Sequence, residues 1–332
     1  MSLSFLMCSE RAGSNLITKI LNAHSDICGP TTKHIVNPVA RNLFRYEPID
    51  EPGNWAVLLR DLNSLLNVDF ALWESSFTVE KLSGMAPVGD IRMLVENIFY
   101  EEARQQDKNH VFVKENQVYE FLPFLMLHFP ESKYVYQVRD PRDMALSWKK
   151  SPAHPGGVIK GARQWKKDQQ QFLKNYNELR KRGKALHIKY ENLIATTEEE
   201  IKRVLQFLGY AYEPEMMLFF TDSLTQKNAQ QIKAWENLSK KVMSDNKKKY
   251  LIELSIEEIS YIEKICGYEM CHLGYELEND LNNLEKISEE ALDEFERYEG
   301  ETIKCERSDG IKANMKAKRE MYRRMPDEII FS

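Results

Sequence analysis

The stretch LSFLMCSERAGSN, residues 3–15, is an apolar run followed by small and polar residues. The apolar part, Leu3–Cys8, is typical of a short buried strand, and the leucines and isoleucines of residues 16–21 have helical spacing. We therefore predict a strand, a turn of small residues and a helix. Such a turn presents free backbone N–H groups and the positive end of a helix dipole, so it is suited to bind phosphate or sulfate.

Length and composition limit the class of protein. The chain has 332 residues, of which 42% are apolar, so it can bury a large core. Its net charge of -5 argues against general nucleic-acid binding, which needs a basic surface. The five cysteines lack metal-ligand spacing, and neither a signal peptide nor an apolar run of membrane-helix length is present. We expect a cytoplasmic protein with reduced thiols, no metal, no transmembrane segment and no nucleic-acid partner; the oligomeric state stays open.

Three later segments have the apolar pattern of buried strands, and helical stretches separate them. This alternation indicates an α/β fold with a parallel sheet flanked by helices. Ligands of such sheets bind beyond the carboxyl ends of the strands. Arg11, Lys114 and Arg139 all lie at or just after a predicted strand end, so we expect them to converge on one crevice. The three segments are His110–Lys114, Lys133–Val138 and Ala185–Lys189.

Helical spacing predicts most of the remaining elements. Ser25–Pro30 is predicted as a polar turn, and Thr196 with the glutamates after it predicts a capping box for a helix that ends near Gly209. Residues 276–332 are rich in Glu, Lys and Arg, so we predict a domain over residues 1–275 and a charged helical C-terminal extension. The other predicted helices are Val118–Phe129, Arg142–Lys150, with Pro141 in its first turn, and Val158–Lys181.

A second motif, YVYQVRDPRDMALSW at residues 134–148, joins a strand end to a helix. Arg139 ends the strand, and about two helical turns bring the hydroxyl of Ser147 to the same side as its guanidinium. A forked cation with a hydroxyl donor suits a phosphate monoester, whereas an Arg139–Asp143 ion pair is the alternative interpretation. The first motif is not an ATPase P-loop, because no Gly-Lys-Ser/Thr follows and the basic residue precedes Gly13.

Together the two motifs resemble those of the sulfotransferase family that uses 3′-phosphoadenosine 5′-phosphosulfate (PAPS). Residues 11–15 (RAGSN) resemble the loop that grips the 5′-phosphosulfate, and Arg139 with Ser147 matches the pair that binds the 3′-phosphate. Residues 188–193 (IKYENL) resemble a stretch of the bacterial and tyrosylprotein branch, as do residues 21–27 (LNAHSDI). The residues implied in donor binding are Arg11, Ala12, Gly13, Ser14, Asn15, Arg139, Ser147 and Tyr190.

The resemblance covers residues 3–275 and carries expectations for fold and activity. It implies the P-loop-like sulfotransferase fold and transfer of a sulfuryl group from PAPS to a hydroxyl of an acceptor. The product would be adenosine 3′,5′-bisphosphate (PAP), and no metal would be needed. Residues 235–240 (WENLSK) resemble a segment that closes over the nucleotide. We expect a small molecule, carbohydrate or lipid as acceptor rather than a protein.

The candidate catalytic residues are His34, Lys114 and Arg11. Residues 29–34 (GPTTKH) lack the catalytic glutamate that the tyrosylprotein branch carries there, so His34 is the first candidate for the base, with Glu115 and His24 as alternatives. The segment VKEN around Lys114 resembles the family's Asp-Lys-Thr-Pro, which implies that this lysine steadies the bridging oxygen. Arg11 would share in neutralising the leaving phosphate.

The loop departs from the family pattern, because Ser14 and Asn15 replace two threonines. Two other functions therefore stay open: an ATP-dependent kinase of similar fold, and a non-catalytic nucleotide-binding protein. Seven of the eight aromatic residues between positions 35 and 105 could line an acceptor pocket or fill the core, and we favour the core. They are Phe44, Tyr46, Trp55, Phe70, Trp73, Phe77 and Tyr100.

Overall fold

The structure, a computed structural model, describes residues 1–323 and is built on one parallel sheet. Its five strands lie in the order β2-β3-β1-β4-β5. β2 and β3 lie on one side of β1, and β4 and β5 lie on the other. The loop after β1 therefore lies at the point where the strand order reverses, which is where ligands of such sheets bind. The strands are β1 Ser2–Cys8, β2 Ile27–Cys28, β3 His110–Lys114, β4 Lys133–Val138 and β5 Ala185–Lys189.

Helices cover both faces of this sheet. Short 3-10 helices occur at Leu43–Tyr46, Val118–Glu120, Pro214–Thr221 and Lys233–Ser239. The α-helices are α1 Ser14–Asn22, α2 Val36–Asn42, α3 Pro52–Leu66, α4 Val79–Ser83, α5 Ile91–Gln105, α6 Leu122–His128, α7 Pro141–Lys149, α8 Val158–Lys181, α9 Tyr190–Ala195, α10 Thr197–Leu208, α11 Ser223–Gln231, α12 Tyr250–Glu253, α13 Ile256–His272, α14 Leu281–Glu285, α15 Glu289–Thr302 and α16 Asp309–Arg323.

Alternate residues of β1 enter two cores, as the two-residue period of a strand requires. Phe5 and Met7 face the larger core, which α3, α5, α8 and α13 cover. Leu6 and Cys8 face the smaller core, which α1 and α10 cover. The uninterrupted apolar run of β1 is thus explained by burial on both faces. The predicted α/β class with a parallel sheet is confirmed.

Three local predictions differ from the structure. Ile27–Cys28 pairs with β3 as a two-residue strand instead of forming only a polar turn. The predicted helix Val118–Phe129 is broken into a 3-10 turn and α6, because Pro123 suits a helix start but not a helix interior. Helix α10 has no side-chain cap, and the Thr196 hydroxyl instead donates to the Asn192 carbonyl.

The aromatic residues of the variable region lie mainly in the core, as predicted. The side chains of Tyr46, Trp55, Phe70, Phe77 and Tyr100 are buried, and Trp73 packs against the same core. Phe44 is the exception, with 56% of its surface exposed. Over residues 1–323, no helix has both the length and the apolar composition that crossing a membrane requires.

The charged C-terminal region forms three helices, α14 to α16, and makes buried contacts with the rest of the chain. Leu292 and Met321 belong to the larger core. Glu299 accepts hydrogen bonds from the backbone N–H groups of Val158 (2.7 Å) and Ile159 (3.1 Å), which satisfies the first turn of α8. The division into residues 1–275 and 276–332 stays a prediction, and residues 324–332 of it lie outside the described chain.

Candidate active site

The turn between β1 and α1 has a backbone that depends on a glycine. Gly13 has φ 82° and immediately precedes α1, which has no acidic side chain in its first turn and no side-chain cap among the described residues. A Cβ on Gly13 would lie 2.3 Å from Cε2 of Tyr190. The sequence therefore uses glycine both for the left-handed conformation and for the close approach of Tyr190. The first N–H groups of α1 remain available to an anion.

A cavity of about 320 Å³ opens at this turn. Its walls come from the β1–α1 turn, α7 with the residues just after it, Tyr190 of α9 and the segment 233–249. Ala12 is not part of the wall, since it is buried and its carbonyl accepts a hydrogen bond from Gln137 (2.6 Å). The predicted donor-binding residues that line the cavity are Arg11, Gly13, Ser14, Asn15, Arg139, Ser147 and Tyr190.

Two arginines concentrate positive charge in the cavity. Nε of Arg11 donates to Oγ of Ser147 at 3.1 Å, and Nη1 of Arg139 donates to the Arg11 carbonyl at 3.2 Å. Burial, with the charge of Arg139, lowers the pKa of Arg11 to about 10. Nε of Arg139 is buried and has no hydrogen-bond partner within residues 1–323. A buried guanidinium N–H without a hydrogen-bond partner is costly, so this arrangement favours a bound anion.

Arg139 is held in place by its neighbours and forms no ion pair with Asp143. Its guanidinium lies 4.5 Å from the centre of the Tyr190 ring, a cation–π arrangement. Asn246 accepts from Nη2 of Arg139 (3.4 Å) and donates to the Tyr190 hydroxyl (2.8 Å). Asp143 instead accepts from the backbone N–H groups of Lys248 and Tyr250, which anchors the segment that covers the cavity.

The segment predicted to close over the nucleotide lies beside this cavity. Ala234, Glu236, Asn237 and Leu238 line it. The indole of Trp235 points elsewhere and stacks on Phe70, with ring centroids 4.9 Å apart. The 3-10 helix Lys233–Ser239 is therefore packed to the protein by its tryptophan and presents its other side chains to the cavity.

His34 lies outside the cavity lining and forms a pair with Glu115. Its Nδ1 is 3.2 Å from Oε2 of Glu115, and 18% of its side chain is exposed. Oε1 of Glu115 accepts from the backbone N–H groups of Ile35 (2.8 Å) and Val36 (3.0 Å). Burial, with the charges of Lys318 and Lys114, places the pKa of His34 well below its ordinary value. Burial also raises the pKa of Glu115 to about 7.

Lys114 ends β3 next to this pair and also lies outside the cavity lining. It is partly buried, and within the described chain no hydrogen bond or ion pair engages its ammonium. Its charge acts on Glu115, His34 and Glu10. The structure thus places Arg11 in the cavity and His34 with Lys114 in a neighbouring polar cluster.

The comparison with protein families agrees with this geometry. Residues 5–214 match the profile described as "Sulfotransferase family", and residues 161–274 match a second one described as "Sulfotransferase domain". This chain belongs to the sulfotransferase family. The first profile covers β1 to β5, and with them the turn, Arg139, Ser147 and Tyr190.

Similar proteins are named as sulfotransferases. A Caenorhabditis briggsae protein named "Putative protein-tyrosine sulfotransferase" is 29% identical over 105 residues, which are 29% of this chain and only 36% of that relative. The sulfotransferase domain of the curacin biosynthetic pathway covers 83% of this chain and 99% of its own, with TM-score 0.53 and 18% identity. The sulfotransferase domain of the Synechococcus PCC 7002 olefin synthase covers 79% and 94%, with TM-score 0.52 and 15% identity. Both likenesses show the fold.

Sequence reasoning missed a network that connects the two parts of the sulfotransferase site. Glu10 pairs with Nε2 of His154 (2.6 Å) and accepts from Asn116 (2.6 Å), while Nδ1 of His154 lies 2.8 Å from Oγ of Ser151 in the cavity wall. Burial opposes ionisation of Glu10, but the hydrogen bond and charge of His154 lower its pKa to about 2. Glu10 lay in the predicted loop, whereas nothing in the sequence relates His154 to it.

The alternative base His24 has both ring nitrogens engaged. Nε2 contacts the Ala211 carbonyl at 3.0 Å, and Nδ1 accepts from the backbone N–H of Asp26 at 2.9 Å. This arrangement fits a packing role for His24. No cluster of three His, Cys, Asp or Glu side chains suited to a metal occurs within residues 1–323.

Proposed function

We propose that this protein transfers a sulfuryl group from PAPS to a hydroxyl group of an acceptor. The observation that carries the proposal is the buried Nε of Arg139, unpartnered among residues 1–323, in a cavity where Arg11 and Ser147 already meet at 3.1 Å. A ligand with two separate anionic groups would satisfy both arginines. PAPS has a 3′-phosphate and a 5′-phosphosulfate, so the residues present fit it.

Each side chain of the cavity has a proposed role toward this donor. Arg139 and Ser147 hold the 3′-phosphate, and Tyr190 and Asn246 keep the guanidinium in position. Arg11, the Ser14 hydroxyl and the N–H groups at the start of α1 hold the 5′-phosphosulfate. The bound donor supplies the activated sulfuryl group.

The His34–Glu115 pair supports the assignment of the base. When Glu115 is ionised it accepts a hydrogen bond from Nδ1–H, and this tautomer of the neutral His34 leaves Nε2 able to accept a proton. The acceptor hydroxyl gives its proton to Nε2, its oxygen bonds to sulfur, and the bond from sulfur to the phosphate oxygen breaks. The electron pair stays on the phosphate of PAP, where Arg11 and the ammonium of Lys114 stabilise the charge.

The finer assignments remain part of the proposal. We infer membership of the bacterial and tyrosylprotein branch, cytoplasmic location, and catalysis without a metal. As acceptor we propose a small molecule, carbohydrate or lipid; the curated relative is named for protein tyrosine, but the match spans about a third of its length. The domain of residues 1–275 with a helical extension is proposed on the same resemblance.

Calorimetric titration with PAP and with ATP tests the proposal against the kinase alternative. We expect PAP to bind at least about tenfold more tightly, because Arg139 and Ser147 form charge-assisted hydrogen bonds to its 3′-phosphate alone. Equal affinities, or a preference for ATP, would favour the kinase. If the protein binds PAP but produces no PAP from PAPS, with or without a panel of hydroxyl compounds, the non-catalytic alternative is favoured.

A further inference from the structure

The C-terminal helix α16 lies against the segment that carries His34. Asn314 is buried and donates to the Lys33 carbonyl at 3.0 Å, and the Tyr322 hydroxyl donates to Asn37 at 2.8 Å. Met321 is fully buried in the larger core. Both polar contacts reach residues within three positions of His34, so α16 forms a wall of the polar cluster around this histidine.

Helix α16 also contributes Lys318 to the polar cluster around His34. Lys318 lies one helical turn from Asn314 and from Tyr322, and therefore on the same face of α16. Its charge acts on Glu115, His34 and Glu10. Burial lowers the pKa of Lys318, with Lys114 acting in the same direction and the two carboxylates in the opposite one. Two lysines from distant parts of the chain thus flank His34.

The carboxylates of the cluster are already engaged by other donors. Glu115 accepts from Ile35, Val36 and His34, and Glu10 is bound by His154 and Asn116. Within residues 1–323, neither Lys114 nor Lys318 makes a hydrogen bond or an ion pair, although both are partly buried. Lys114 already has a proposed role toward the leaving phosphate. The partly desolvated ammonium of Lys318, which has no direct partner in the described chain, favours an anion of another molecule beside it.

We propose that Lys318 is an acceptor-binding residue that holds an anionic group of the acceptor beside His34. The inference rests on the proposed function and narrows the acceptor to a hydroxyl compound that also carries a carboxylate, phosphate or sulfate. The sulfuryl group of PAPS is also anionic, so the experiment must distinguish an anion of the acceptor from the sulfuryl group of the donor. A region of the chain outside both family profiles would then determine acceptor choice.

The test uses the full chain saturated with PAP and titrated with inorganic sulfate at constant ionic strength. We expect Lys318→Gln to weaken sulfate about tenfold or more, as loss of a charged hydrogen bond does, while PAP affinity is unchanged. Lys316→Gln, an exposed lysine on the same helix, should behave as wild type. Lys318→Arg keeps the charge and should retain most of the sulfate affinity.

A second arm compares PAPS with PAP on the same variants. An unchanged ratio of their affinities in Lys318→Gln places the anion on the acceptor, whereas selective weakening of PAPS would assign Lys318 to the donor and overturn the proposal. Equal sulfate affinity in the Lys318→Gln and Lys316→Gln proteins, or no sulfate binding by wild type, would also overturn it. Failure of wild type to bind PAP would contradict the proposed function instead, so the two failures are distinct.

Discussion

The ring of Tyr190 occupies the space that a side chain at position 13 would need, with Cε2 2.3 Å from the Cβ position of Gly13. The same ring lies under the guanidinium of Arg139. Tyr190 therefore links the turn after β1 to the arginine at the end of β4. Loop, tyrosine and arginine form one packed unit, and a change in one should move the others.

Substitution Gly13→Ala should disrupt this unit. The new Cβ would overlap Tyr190 and would also need φ near 82°, so we expect a loss of stability of about 1–3 kcal/mol and PAP binding weakened at least tenfold. Gly183→Ala is the matched control, because Gly183 also has positive φ but has no atom within 4 Å of the Cβ position. Thermal unfolding and calorimetry measure both effects. Equal losses in the two variants would show that the clash with Tyr190 does not matter.

Substitution Arg139→Ala should remove discrimination for the 3′-phosphate. Charge-assisted hydrogen bonds contribute roughly 1.5–3 kcal/mol each, so PAP should bind about tenfold or more weakly while adenosine 5′-monophosphate is nearly unaffected. Lys150→Ala, an exposed residue of the same cavity rim, serves as the control. Calorimetry measures the affinities for both nucleotides. The same fractional loss of affinity for each would show that Arg139 does not bind the 3′-phosphate.

Substitution His34→Asn should lower turnover by roughly 10²–10⁴-fold, the usual contribution of a positioned general base. Asparagine tolerates the φ of 59° that this position requires, so backbone strain is not added. PAP affinity should change little, because His34 is outside the cavity lining. The control is His24→Asn, because both nitrogens of the His24 ring contact backbone groups and Nε2 also lies 3.5 Å from Oε1 of Glu213. A His34→Asn protein with more than about a third of wild-type turnover would exclude His34 as the base and direct attention to Glu115.

The pH dependence of transfer should have an acid limb near pH 7. His34 is neutral near pH 7 because burial lowers its pKa. Glu115, with a pKa of about 7, must be ionised to accept the hydrogen bond from Nδ1–H. Activity should therefore rise as pH increases through about 7 and fall as Glu115 becomes protonated. In Glu115→Gln the residual activity should have its acid limb well below pH 6.5, where His34 itself titrates. A limb that stays near 7 in this variant would assign it to another group.

The sequence by itself determined the parallel α/β sheet, four of its five strands and the turn of small residues between β1 and α1. These features depend on residues close together in the chain: the apolar runs buried on both faces, the small residues of the turn, and the eight-residue step from Arg139 to Ser147. The sequence predicts these features because strand and helix periods can be recognised within short segments of the chain. The strand Ile27–Cys28 was not predicted, because a segment of two residues is too short to have a recognisable strand period.

Only the tertiary structure decided what surrounds the candidate base. The pairing of His34 with Glu115 joins positions 81 residues apart, and Glu10 meets His154 across 144 residues. The approach of α16 joins Asn314 to Lys33 across 281 residues. Hydropathy and spacing carry no information about such contacts, since they arise when separate helices are packed on one sheet edge. The charged composition that made residues 276–332 look like an extension also hid the few buried side chains, Leu292, Asn314 and Met321 among them, that hold it against the site.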